Sequence, residues 1–86
     1  MAEVEEIPEE LIVTFRKPIE FGGDSYPTMK LQEPTAAQVQ QWDKLSGTEA
    51  DIMALTIVSG LPKPVIERMG LRDLNTGSRY IARFFE

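Results

Sequence analysis

The sequence predicts an α+β fold: an N-terminal antiparallel β-hairpin, bulged near Pro18, packed against three to four short C-terminal α-helices. Three observations carry that prediction. Apolar and polar residues alternate at period two from Leu11 and again up to Gln32, the signature of half-buried strands. Gly22, Gly23, Asp24 and Ser25 stand between those runs and favour a reversal of the chain. Beyond Pro34 the apolar spacing widens to three and four, with helix-starting residues at Thr35, Thr48 and Asp73. A two-stranded hairpin is barely stable in water, so the helices must cover its apolar face.

Residues 1 to 10 form an acidic leader containing Glu3, Glu5, Glu6, Glu9 and Glu10 and no base. Residues 11 to 86 balance nine acids against nine bases, so the whole net charge of −5 belongs to the leader. Clustered carboxylates repel one another and bury little, so disorder is expected there. The leader acts as a solubilising tail or docks on a basic partner. A single α+β domain is expected over 11–86, with the hairpin in 11–33 and the helices in 35–86.

In the first strand Leu11, Val13 and Phe15 face one way and Ile12, Thr14 and Arg16 the other. Pro18 cannot donate a ladder hydrogen bond, which predicts a kink near Lys17 and Pro18 before pairing resumes through Ile19 and Phe21. The return strand, Tyr26 to Gln32, sets Met29 and Leu31 on the inner face.

Glu33 before Pro34 stays extended, and Thr35 with Gln38 has the spacing of a capping box. The first helix is predicted to run on through Ala36, Val39, Trp42 and Leu45, which recur every three residues, until Ser46 and Gly47 stop it. Thr48 is the expected cap of the second helix, with Glu49 and Asp51 in its first turn, where the helix dipole favours acid. That helix has almost no polar face: Ile52, Met53, Ala54, Leu55, Ile57 and Val58 surround it. A helix of that kind is central to a core, or partly covered by a partner. Gly60 ends it, and Pro64 opens a short third helix that closes at Gly70. Asp73 is the expected cap of a last helix containing Leu74, Ile81 and Phe85, weakened by Gly77.

At 86 residues the chain has room for one small core, with marginal stability. It has no cysteine and no histidine, which removes disulfides, the usual zinc ligands, the thiol nucleophile and the commonest general base. An enzyme is therefore not expected, and no cofactor or metal. No basic n-region and no apolar run of about 20 residues is present, so a secreted or membrane protein is not expected either, and the protein is read as cytoplasmic. The carboxylates Asp43, Glu49, Asp51, Glu67 and Asp73 share no motif spacing. Gly22-Gly23 lacks the downstream residues of a phosphate-binding loop.

A small DNA-binding regulator is the alternative, because Arg68, Arg72, Arg79 and Arg83 cluster late and the segments 64–69 and 73–85 could form a helix-turn-helix. Against it, the first of those helices is barely two turns. The reading helix would also present Tyr80, Ile81, Phe84 and Phe85 where polar base-readers are wanted, and nucleic acid is not an expected partner.

One stretch is more specific. Lys17-Pro18-Ile19, Phe21, Gly22-Gly23, Tyr26 and then Leu31, Glu33-Pro34-Thr35, followed downstream by Gly60-Leu61-Pro62 and Asp73, resembles the small tail assembly chaperones of long-tailed phages, the Mu-like and P2-like group. Gln32 stands where that pattern would have arginine. The resemblance implies a role in virion morphogenesis in the host cell cytoplasm: the chaperone coats the tape measure protein until tail tube subunits polymerise around it. In many phages a frameshift adds a second domain that recruits the tail tube protein, and this chain can be the unextended form. The resemblance brings no catalytic residues. A holdase for apolar helical stripes needs a shallow apolar groove and multiple copies, so self-association is also expected. The candidate protein-binding residues are Trp42, Met53, Ile57, Leu61, Met69, Phe84 and Phe85.

Overall fold

Strand β1 (Glu10–Phe21) and strand β2 (Asp24–Gln32) pair antiparallel in a computed structural model that describes residues 7–86. They are joined by Gly22 and Gly23, at φ +61° and +85°. Two consecutive positive φ values give the tight turn whose twist matches the strands it joins, and only glycine adopts them at no steric cost. Asp24 and Ser25, expected in the turn, instead pair with Phe21 and Glu20. The turn needs only two residues, and they already supply it.

The kink lies where two prolines meet. Thr14 pairs with Thr28 and Ile19 with Tyr26, so Phe15, Arg16, Lys17 and Pro18 stand opposite Pro27 alone. Neither proline has an N–H to donate, and the ladder is interrupted where its loss costs least. Val13, Phe15 and Ile19 of β1 and Met29 and Leu31 of β2 nevertheless all face inward, and the last two are fully buried. The bulge turns Arg16 and Lys17 outward together.

Four helices and a terminal 3₁₀ turn complete the α+β fold: α1 (Ala36–Val39), α2 (Gly47–Ser59), α3 (Lys63–Glu67), α4 (Leu71–Ala82) and the turn Arg83–Phe85. The capping box at the start of α1 is formed, with Gln38 N donating to Thr35 Oγ1 at 3.1 Å and Thr35 N donating to Gln38 Oε1 at 2.9 Å. The helix itself is shorter than its pattern predicts. After Val39 the chain continues through turns in which Gln41, Trp42 and Leu45 each donate to the carbonyl three residues back. Residues spaced by three drift around a helix of 3.6 residues per turn and stay aligned only when the backbone winds tighter. That winding brings Trp42 into the core at 7% exposure.

Helix α2 is the central helix, in contact with α1, α3, α4 and β2. Ala54, Leu55 and Val58 are buried, whereas Ile52, Met53 and Ile57 are half-buried. Its start differs from expectation: Thr48 lies inside the helix, and the entry is made by Ser46 and by Gly47 at φ +65°. Gly60 in the left-handed conformation ends it. Helix α4 starts at Leu71, three residues earlier than a cap at Asp73 predicts. Extended Gly70 precedes it, Leu74 N donates to Gly70 O at 3.0 Å, and Asp73 sits within the first turn, where the dipole still favours it. The helix lies on both strands and on α2.

The core is one cluster to which both strands and helices contribute. The disorder expected of the leader falls, for residues 1–6, outside the described residues. Ile7 is half-buried against the core, and the Pro8 carbonyl accepts a hydrogen bond from Tyr80 Oη at 2.6 Å. Among the described residues no helix is long and apolar enough to cross a membrane.

Candidate protein-binding site

A shallow cleft of about 180 Å³ opens between α2 and the C-terminal end of α4. Trp42, Ala54 and Ile81 form its floor, and all three are buried. Ala50 and Ala54, four residues apart on α2, leave the cleft open because neither side chain extends beyond Cβ. Phe85 stands at its edge, 60% exposed, and Asp51 lines it as well. The tight turns after α1 supply the tryptophan, and the 3₁₀ turn supplies the phenylalanine.

The structure brings together two of the seven sequence-predicted residues, Trp42 and Phe85, in this cleft. Phe84, next in the chain, turns the other way and packs edge-to-face on Tyr80, with ring centroids 5.2 Å apart. Met53 and Ile57 share another face of α2 and are half-buried, as is Leu61 beyond Gly60. Met69 is buried in the core. Ala50, Ala54 and Ile81 were not legible as lining residues, although paired alanines at helical spacing are the sequence signal of a close approach.

A second cleft, of about 420 Å³, lies where the β1 bulge faces the start of α4. Phe15 and Ile19 line it from β1, and Leu71, 65% exposed, from α4. Arg16, Lys17, Arg68 and Arg72 surround it, with Asp73 the one lining carboxylate. Arg68 is held in place: Nη1 donates to Glu20 O at 2.7 Å, and the guanidinium lies 5.4 Å from the centre of the Phe21 ring.

Tyr80 departs from its ordinary acidity. Burial of the phenol raises its pKa above the ordinary tyrosine value, the charges of Glu10 and Glu33 raise it further, and Arg83 opposes them. Tyr80 and Ile81 are both buried, so neither projects from α4 as a base-reading side chain would. Among the described residues no three His, Cys, Asp or Glu side chains gather where a metal could be held. In the first cleft the Ser78 hydroxyl donates to Asn75 O at 3.4 Å. The arrangement offers surfaces for binding.

The family described as "Phage tail assembly chaperone proteins, E, or 41 or 14" matches residues 13–86. The chain belongs to that family. The match takes in the bulged hairpin from Val13, every helix and both clefts of this tail assembly chaperone. Comparison with curated proteins finds no match, and comparison with solved structures finds none. Membership bears out the expected role in tail assembly and does not favour the DNA-binding alternative. The tail assembly chaperones are not an enzyme family.

Proposed function

We propose that this tail assembly chaperone binds the tape measure protein of its phage and keeps it soluble in the host cytoplasm during tail tube assembly. Phe85 carries the reading: a large aromatic side chain, 60% exposed, beside a cleft floored by Trp42, Ala54 and Ile81. An apolar helical stripe lays its side chains into such a groove and covers the aromatic edge. Met53, Ile57 and Leu61 extend the apolar surface around α2, and flexible methionine suits a partner that offers many similar stripes. Trp42 shapes the groove from beneath.

A cleft this shallow gives weak single-site binding. Many copies along one long partner raise the occupancy through effective concentration, with no new kind of contact. Under the same reading, the tail tube protein is a second partner, recruited by a frameshift-extended form of the chain, and self-association brings copies side by side.

Co-expression with the tape measure protein tests the reading. The wild-type chaperone is expected to move the tape measure protein into the supernatant and to co-purify with it, and Phe85→Asp to lose both effects while staying folded. A tape measure protein equally insoluble with and without the chaperone would refute the proposal.

A further inference from the structure

Leu71 and Phe85 are two of the three large apolar side chains that stand exposed among the described residues, and both belong to α4 and its 3₁₀ extension. Positions 71, 75, 78 and 82 recur at steps of three and four, so they share one face of the helix. Ser78 and Ala82 line the cleft that Phe85 edges, which carries that face on to Phe85. The two exposed side chains thus mark the ends of one stripe, fourteen residues apart, or about 21 Å at 1.5 Å per residue.

Nothing between them projects far. Asn75 and Ser78 are half-buried, Ala82 ends at Cβ, and the Ser78 hydroxyl is turned onto the Asn75 carbonyl of its own helix. A partner lying along this face meets a large apolar side chain at each end and comes close in the middle.

Charge separates the two ends. Beside Leu71, four of the nine cationic side chains of the protein, Arg16, Lys17, Arg68 and Arg72, line one cleft, against Asp73 alone. Among the described residues none of the four belongs to an ion pair, since the one salt bridge there joins Lys30 to Glu10. Beside Phe85, the one charged side chain lining the cleft is Asp51. Uncompensated cations around an apolar wall select carboxylates, and a lone carboxylate at an apolar edge repels them.

We propose that this face of α4 seats one amphipathic helix of a partner protein, acidic at one end. Two apolar side chains of that helix, two heptads apart, meet Leu71 and Phe85, and its carboxylates gather at the Leu71 end. A helix is the conformation that returns a side chain to the same face after two heptads. The cations add selection to an otherwise unselective apolar contact, because a stripe laid the other way round brings its acids to Asp51 and leaves the four cations unpaired. That the helix belongs to the tape measure protein rests on the function proposed above; the face and its polarity do not.

Two synthetic helical peptides of about 20 residues, roughly 30 Å long, test this. Both carry two leucines two heptads apart with alanine and serine on the stripe between them. One has glutamates around one leucine, and the other has lysines at the same places. Titrated into the isotopically labelled chain, the glutamate peptide is expected to shift the amide signals of Leu71 and Arg72 together with those of Ala82 and Phe85. At low salt it should bind about tenfold more tightly than the lysine peptide, and the gap should close at about 1 M salt, where screening extends over only about 3 Å. Leu71→Ala should weaken it about tenfold with an unchanged circular dichroism spectrum, and Arg16→Glu with Arg72→Glu should reverse the preference between the peptides. Equal binding of the two peptides, shifts confined to one end of the stripe, or wild-type affinity in Leu71→Ala would each overturn the proposal. So would a duplex oligonucleotide that displaces the glutamate peptide, or uptake of the peptide only after deletion of residues 1–6, because the cations would then serve phosphates or the chain's own acidic segment. The tape measure protein is titrated in parallel. If it binds the wild-type chain, Leu71→Ala and the double variant equally well, the α4 face is overturned and the proposed function stands; if only the glutamate peptide binds, the proposed function falls and the face stands.

Discussion

Gly77 of α4 faces Leu55 of α2 so closely that a Cβ built on the glycine would lie 3.1 Å from both Leu55 methyl carbons, and 3.0 Å from Met29 Cε. Glycine costs a helix interior about 1 kcal/mol relative to alanine, so in isolation Gly77→Ala should stabilise α4. Contact with two fully buried side chains reverses the expectation, because Leu55 and Met29 have little free volume into which to move. Forcing one extra carbon into a packed core costs about 1–3 kcal/mol, which outweighs the propensity gain. Gly77→Ala should therefore lower the urea midpoint, by about 1 kcal/mol net. In a double-mutant cycle, Leu55→Ala should make room, so that the pair of substitutions costs less than the two separately.

The Tyr80 hydroxyl fastens the entry of β1 to α4 by donating to Pro8 O. Its pKa is raised, by burial first and then by Glu10 and Glu33, so the folded state holds the phenol neutral more tightly than the unfolded state does. The unfolded chain loses this proton near pH 10, and the folded chain above that. The stabilisation is thus complete below about pH 10 and is lost as pH rises through the folded value. Chemical denaturation should show this component as a decline beginning near pH 10. Tyr80→Phe should remove it, at a cost at neutral pH of about 1 kcal/mol for the missing hydrogen bond.

Thr35 and Gln38 satisfy each other's backbone N–H groups at the entry to α1. Thr35→Ala should cost about 1 kcal/mol of stability, and Thr35→Ser, which keeps the accepting oxygen, much less. Because the tight turns carrying Trp42 follow directly, the alanine variant should also change the tryptophan fluorescence of the native state, and the serine variant should not.

Features of this kind were legible because their causes are local. The period of two at Val13, Phe15, Met29 and Leu31 marks a sheet with one buried face, and paired glycines mark a tight turn. The spacing of Thr35 and Gln38 marks a helix start. The length of α1 differs from expectation: residues recurring every three positions predict a stripe on an α-helix, whereas that period suits the tighter winding found after Val39. Gly70 and Asp73 both suit the entry to α4, and the extended backbone at Gly70, whose carbonyl accepts from Leu74 N, decides between them. The basic cleft was hidden for another reason. Arg16 and Lys17 lie about fifty residues from Arg68 and Arg72, and only the packing of α3 and α4 on β1 puts them around one space. In the sequence those arginines stood out as a cluster near the C-terminus, but α4 divides them: Arg72 lines the basic cleft, while Arg79 and Arg83 lie near Pro8.

Phe85 and Trp42 line the same cleft and should fail in different ways. Phe85 is 60% exposed, so truncation removes little buried surface, and Phe85→Ala should shift the denaturation midpoint by less than about 0.5 kcal/mol. If it is an aromatic anchor for the tape measure protein, the same substitution should weaken binding by about 2 kcal/mol, roughly thirtyfold per site. Trp42 is 7% exposed beneath α2 and α4, and Trp42→Ala should cost about 3–5 kcal/mol, a large part of the stability of so small a domain. Loss of binding in that variant would report unfolding. The pair is therefore read by titrating the purified chaperone against a tape measure fragment, with circular dichroism on each variant. Wild-type affinity in Phe85→Ala would remove Phe85 from the interface. A folded Phe85→Ala protein that binds weakly would place the contact at the edge of the cleft, where an approaching helix meets it first.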